Sequence, residues 1–472
     1  MRATVWPIGV MAALAWAWSF VFASAGWAAE QALNQTIRGG DIGFTSNFGQ
    51  SLAIADGIIV AGAPSVFTNE DQDGAAYVFL EPAGGWQTLP LNPEETFHHV
   101  KLIASDPSRE DKLGNSVAID GSVIAVGASS KLDAASSLNN AGAVYIYVEP
   151  PAGWGTVAGI TPLTESAQLT PGEPVSGAFF GDQVVVVGDE IIVSAPGFEA
   201  EDDAAERGGA LFVFTRPAAG WSGTITPSAT LRGRVVLDFD RIGSSLAYDG
   251  QTLVAGARFD PRRTPLVYVY ERPPGGWVSQ VENFQLQGST GTDNNALDND
   301  GFAAALAVQC NLVVVGAPDY IDPFDPDRGR VGLVQVFQRM PLGWSELDQN
   351  LPVASLRSSD RTGNGAFGAA VALSGQRILV GRGSGFVSED DGTGSAYLFS
   401  RPAAGWVGEI AEDVALTAAD GASGADFGEA VAMHQDTLLI GASYQGVRAR
   451  GRAYLGTVGE LPVFTDGFEG LR

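Results

Sequence analysis

Short apolar runs, each closed by glycine, aspartate or proline, follow one another along almost the whole chain. The run at 52–55 meets a two-residue turn, Asp56-Gly57, and is answered at once by Ile59-Val60-Ala61-Gly62-Ala63-Pro64. Runs of this length, rich in Val, Ile and Tyr and punctuated by turn residues, read as strands. Many are apolar at consecutive positions, as in Leu312-Val313-Val314-Val315, so burial on both faces is expected. No long apolar stretch of helical period separates the runs, which excludes the crossovers that a parallel sheet requires.

The runs repeat. Copies open at Phe48, Leu113, Phe180, Ile242, Phe302, Phe367 and Phe427, and the residues that close the second strand are Gly62, Gly127, Ser194, Gly256, Gly316, Gly381 and Gly441. A variable loop and a third apolar run follow, such as Ala75-Ala76-Tyr77-Val78-Phe79. Six copies then carry a Pro-containing turn and a tryptophan: Trp86, Trp154, Trp221, Trp277, Trp344 and Trp406. In the second copy the strands fall at 116–119, 123–127 and 143–147, with a fourth ending at 167–169. Seven such units in a ring give an all-β fold, a seven-bladed β-propeller of four-stranded antiparallel blades. The seventh copy has no Trp and no fourth strand, and residues 33–38 have the pattern of the missing piece. The last blade is therefore expected to be closed by an N-terminal strand, which removes the exposed edges of an open array.

Phe-Gly opening one strand, Gly-Ala-Pro closing the next and Ala-x-Tyr-Val-Phe after a loop resemble the FG-GAP repeat of the integrin α-subunit propeller. Trp406, then Leu416-Thr417-Ala418, then Asp426-Phe427-Gly428, is most similar to the bacterial FG-GAP subclass. The resemblance covers residues 32–456 and implies a binding, adhesion or assembly role on the extracytoplasmic side of a bacterial cell, with a protein or glycan ligand. It implies no reaction, because a fold does not fix chemistry. In the integrin-type repeat an Asp-rich loop between the first two strands holds calcium. Here that loop is reduced to turns such as Asp56-Gly57, Asp120-Gly121 and Asp249-Gly250, so those ligands do not carry over. A separate run, Asn69-x-Asp71-x-Asp73-Gly74, imitates the opening of a calcium loop but has Leu80 where the twelfth ligand belongs. Calcium there competes with a simple solvated turn, and no other cofactor or metal is expected.

Composition sharpens the picture. Asp plus Glu is 54 against 27 Lys plus Arg, a net charge of −27, which disfavours nucleic acid as a partner. One cysteine and three histidines leave little for disulfides, zinc or histidine-based catalysis. Arg2, the apolar stretch at 7–22 and the small residues Ala23-Ser24-Ala25 and Ala28-Ala29 read as a signal peptide over 1–29, cleaved near Ala25 to Ala29, against an uncleaved anchor. A secreted or cell-surface protein with no membrane span after cleavage is expected. Residues 457–472 form a tail whose Asp466-Gly467-Phe468-Glu469 resembles the ends of many exported bacterial proteins.

Antiparallel order places the loops between strands two and three, and the connections into the next blade, on one face. These loops are long and acidic, and variable loops on a rigid scaffold are the usual place for recognition. Asp71, Asp73, Asp202, Asp322, Asp325, Asp327 and Asp391 are therefore the candidate ligand-binding residues, favouring a cationic or hydroxyl-rich partner. On the other side the six tryptophans either pack between blades or stack sugars as in a lectin, and packing is the favoured reading. A propeller hydrolase or lyase is the enzymatic alternative, with no catalytic residue identified. Gly381-x-Gly383-x-Gly385 ends a strand without opening a helix, His98-His99 has no metal-site spacing, and Cys310 is expected to be a buried or half-buried thiol.

Overall fold

The computed structural model describes residues 29–460, apart from 41, 43–45, 69–71, 90–99, 134, 157–161, 200–206, 235–237, 258–264, 289–299, 341–342, 345–350, 361–365, 384–392, 422–423 and 445–450. Seven small sheets form a seven-bladed propeller. Blade 2 shows the pattern: an inner strand Ser116–Asp120, a second strand Val123–Ala128, a third Ala143–Val148 and an outer Ala167–Leu169. Each is antiparallel to the one before, with Ile119 opposite Ile124, Val126 opposite Tyr145 and Gln168 opposite Tyr145.

The consecutive apolar residues behave as a strand buried on both faces should. Val123–Ala128 is buried at every position. The apolar side chains gather in seven clusters, each shared by two neighbouring blades. In one of them Val60, Val78 and Leu102 of blade 1 meet Ile124, Val126 and Tyr145 of blade 2. The hydrophobic core is thus a ring of interfaces between sheets.

Five blades carry a fifth strand that the four-stranded expectation lacked. Leu163–Thr164, Gly223–Ile225, Gln280–Val281, Gly408–Ala411 and Ala29–Leu33 each lie parallel to the outer strand of the preceding blade. Each is therefore a strap from one repeat onto the repeat before it. The N-terminus performs both outer roles for the seventh repeat. Ala29–Leu33 pairs with Val414–Ala418 of blade 6, and Gln35–Ile37 pairs antiparallel with Arg452–Thr457 of blade 7. Thr36 stands opposite Tyr454, and Ile37 is fully buried. The expected N-terminal closure is present.

Glycines set how closely blades approach. A Cβ on Gly62, Gly127, Gly316, Gly381 or Gly441 would overlap the carbonyl oxygen of Gly114, Gly181, Gly368, Gly428 or Gly49, respectively. The last of these contacts joins blade 7 to blade 1. The partner glycines are left-handed, with φ of 90° at Gly49 and 95° at Gly428, a region that costs little only without a side chain. Their N–H groups bond back into their own blade, Gly49 to the Gly62 carbonyl and Gly428 to that of Gly441, both at 2.9 Å. One residue therefore anchors its own blade and abuts its neighbour.

The six tryptophans are all buried, so packing is correct and the sugar-stacking reading falls. Trp154 seals the junction of blades 1 and 2, Trp221 that of 2 and 3, and Trp406 that of 5 and 6. At the junction of 6 and 7, which has no tryptophan, buried Val458 joins the cluster directly after the third strand. Only Trp277 among the six donates its indole N–H to described acceptors, Glu190 and Tyr248, both at 3.2 Å.

On the face of the short turns, polar links cross six of the seven junctions. Gly188 N–H donates to Asp120 at 2.6 Å, Arg272 to Glu190 at 2.9 Å, and Arg339 to Glu271 at 2.7 Å. Gly375 N–H donates to Gln309 at 2.9 Å, Arg377 pairs with Asp436 at 2.6 Å, and His434 lies 3.6 Å from Asp56.

Two outcomes test this account. Removing residues 29–38 is expected to lower the unfolding temperature and promote association, because the third strand of blade 7 becomes an edge; unchanged calorimetric unfolding would refute closure. Gly316→Ala is expected to lose about 3 kcal/mol or more in urea unfolding, since backbone cannot yield as a side chain does. Gly275→Ala, with open space around it, should stay within ~0.5 kcal/mol of the parent.

Candidate functional site

Parallel bridges join Gly74 to Leu113, Gly142 to Phe180, Gly209 to Ile242, Gly394 to Phe427 and Gly451 to Phe48. In each, the last residue of a loop between the second and third strands meets the first residue of the next blade. The variable loops and the connections between blades therefore share one face, as the strand order requires.

On this face Asp73 is buried and turned into its own loop, accepting the Thr68 N–H at 3.1 Å and the Thr68 hydroxyl. Asp322 is also buried. It accepts Arg357 at 2.8 Å and the Phe324 N–H at 3.0 Å. Asp325 pairs with Arg328 at 2.5 Å, and Asp327 is exposed in the single turn Pro326–Arg328. Asp71, Asp202, Asp391 and Asn69 lie outside the described residues. No group of three or more metal-ligating side chains occurs among the described residues.

A recurring arrangement here was missed in the sequence. The fourth residue after the buried leucine of an outer strand, Leu102, Leu356 or Leu416, is Asp106, Asp360 or Asp420, and each receives the hydroxyl of a third-strand tyrosine in the next blade. Tyr145 donates to Asp106 at 2.6 Å, Tyr397 to Asp360 at 3.1 Å and Tyr454 to Asp420 at 2.6 Å. A cation completes each set: Lys131 at 3.5 Å from Asp106, Arg382 at 2.8 Å from Asp360, and Arg452 on Asp420. Burial raises the pKa of Asp360, but Arg382, Ser358 and Tyr397 outweigh it and hold the carboxyl below its ordinary value. Burial pushes the Tyr397 hydroxyl well up. The signal in the sequence was the repeated spacing of one Asp after the strand.

The FG-GAP repeat family model matches residues 97–147, 352–399 and 411–456, which fall in the propeller's repeats. The chain carries FG-GAP repeats on a seven-bladed β-propeller. No curated protein matches it. FG-GAP propellers are typically non-catalytic interaction modules of extracellular or surface proteins. No helix among the described residues is long and apolar enough to cross a membrane.

Two carboxyls in this FG-GAP propeller stand at the residue after the Phe-Gly pair, at the inner end of the loop face. Burial lifts Asp182 of blade 3 to about 6, against the opposing pull of Gln183, Arg241 and Lys112. Burial also raises Glu429 of blade 7, whose partner is the Ser443 hydroxyl. They lie in different blades with different partners and form no acid–base pair.

The same face exposes large apolar side chains. Phe324 is 89% exposed and Phe67 53%, and Ile321 and Tyr444 are exposed beside them in sequence or in equivalent loops. Cys310 corrects an expectation. It is exposed, because it occupies a left-handed turn position, φ 58°, equivalent to that of Asp56. Gly381 and Gly383 lie within the strand Arg377–Gly383, and Gly385, His98 and His99 lie outside the described residues.

The raised pKa of Asp182 gives stability that is full below the ordinary carboxyl range, near pH 4, and is lost as pH rises through about 6. Asp182→Asn is therefore expected to stabilise the protein by about 1–2 kcal/mol at pH 7 and by nothing below pH 4, measured by urea unfolding across pH. A gain independent of pH would show that the carboxyl is not held protonated.

Proposed function

We propose that this propeller is an exported, non-enzymatic interaction module that holds a protein or glycan ligand against its long-loop face. The observation that carries this reading is the exposure of Phe324, Phe67, Ile321 and Tyr444 on loops that the rigid ring brings to one side. Aromatic side chains on a fixed frame supply contact area at little entropic cost and are enriched among residues that dominate binding energy. Asp327, three residues from Phe324, adds negative charge that steers a cationic or hydroxyl-rich partner, and Asp71, Asp202 and Asp391 belong by sequence to the same set of loops. Asp73, Asp322 and Asp325 act beneath that layer by fixing loop shape. The apolar segment at 7–22 supports delivery across a membrane, after which the ring acts at the cell surface or beyond.

The test is an array of glycans and extracellular-matrix proteins probed with the chain lacking residues 1–28. Phe324→Ala together with Phe67→Ala is expected to weaken any captured ligand by about tenfold or more without altering unfolding. Raising salt from 0.1 M to 1 M shortens the Debye length from ~10 to ~3 Å and should slow association. Capture that survives both changes would place recognition elsewhere on the ring.

A further inference from the structure

The end of the channel opposite the long loops is a cavity of about 860 Å³, lined by residues of all seven blades. That volume lies within the ~300–1,000 Å³ range of small-molecule sites. Its wall is aliphatic, formed by residues such as Ile54, Ile119, Val186, Val308 and Leu373. Its rim is polar, and the hydrogen bonds that link the blades leave part of each rim side chain unused.

Asp120 accepts Gly188 N–H through Oδ2 alone, and Asp249 accepts the N–H groups of Gln251 and Thr252 through Oδ1 alone. Gln309 uses only its Oε1, on Gly375, and keeps its amide donors. Arg272 meets Glu190 through Nε, leaving both terminal nitrogens, and Arg339 holds Glu271 through Nε and Nη2, leaving Nη1. Acceptors and donors thus face one cavity from different blades. A simple anion would meet Asp56, Asp120 and Asp249, and a simple cation would meet Arg272 and Arg339. A hydroxyl group both donates and accepts, so it suits such a rim, and the aliphatic wall suits the C–H faces of a sugar ring.

We propose that this short-turn mouth is a binding site for a neutral, hydroxyl-rich ligand of about disaccharide size. The site is separate from the long-loop face and stands or falls independently of it. Asp120 and Asp249 are its acceptors, Gln309 and Arg272 its donors, and the exposed thiol of Cys310 lies in its lining.

Cys310 is the chain's one cysteine, which makes it a reporter. Its alkylation by a maleimide is measured on the folded chain with maltose, cellobiose, lactose, trehalose or chitobiose, and with spermidine and citrate as charged controls. At least one disaccharide is expected to slow alkylation several-fold in a saturable way, with calorimetry giving its affinity. Gln309→Glu keeps the acceptor for Gly375 and removes the donor, Asp120→Asn keeps the acceptor for Gly188 and removes a carboxylate, and each should weaken that affinity about tenfold. Gln251 also lines the cavity, its amide nitrogen bonded to the Gly250 carbonyl and its Oε1 left as a further acceptor, so Gln251→Ala, which touches no interblade link, provides the same test should either variant disturb folding. The proposal is overturned if no disaccharide protects Cys310, if protection is equal in parent and variants, or if only spermidine or citrate protects.

Discussion

The approach of backbone to backbone at each blade junction governs the rest of this molecule. The glycine that closes a second strand lies against the carbonyl of the glycine that follows the opening residue of the next repeat, with no room for a Cβ between them. That distance fixes the wedge angle of a blade pair. It also brings the apolar surfaces of neighbouring sheets into the shared clusters where the burial energy resides, roughly 1.5–3 kcal/mol for each fully buried Val, Leu or Ile. Ser194 facing Gly243 and Gly256 facing Ala303 show how far the rule bends: one member of each pair has gained a Cβ while its partner stays glycine. At the 4–5 junction the relevant backbone still adopts φ 68°, a strained value for alanine. The geometry is kept even where the residue is not ideal for it.

The straps give the same constraint a second hold at the circumference. A strand of two to five residues adds few hydrogen bonds, yet at five of the seven junctions it ties one repeat to the one before at the far end of the blade from the glycine contact. Two fixings at different radii resist rotation of a blade about either one. The N-terminal segment supplies the strap between blades 6 and 7 and the outer strand of blade 7, while the junction of blades 7 and 1, with no strap among the described residues, rests on the approach of Gly441 to Gly49, the Gly451–Phe48 bridge and the apolar cluster around Trp86.

What the sequence revealed and what it hid follow from range. The apolar runs recur in all seven repeats, the closing glycine in six and the Asp-Gly turn in three, each acting within its repeat, so periodicity exposed them. Asp56 and Gly57, with φ of 43° and 77°, form the type of hairpin turn that the dipeptide announces. The straps escaped because two residues such as Leu163–Thr164 have no period and become a strand only through a partner some sixty residues back. The pairing of Asp322 with Arg357 escaped for the same reason: nothing local distinguishes a carboxylate that meets a guanidinium from one that meets water. Cys310 was misjudged by residue type, although its register with Asp56 placed it in a solvent-facing turn.

Those hidden pairs change how the negative charge is to be understood. A surplus of 27 acidic residues would make a strongly repulsive face if all were free. Instead Asp106, Asp111, Asp322, Asp360 and Asp420 each sit beside a lysine or arginine, and several bridge from one blade to the next. Their work is to position loops, with tyrosine hydroxyls directing the carboxylates. Among the described residues of this face the unpaired, exposed carboxylate of Asp327 lies three residues from the exposed ring of Phe324. A rigid ring with a paired, shape-fixing layer below and a variable layer above can change its tips without disturbing its joints. Loop sequences can therefore diverge on this face while the glycine contacts that define the fold stay fixed.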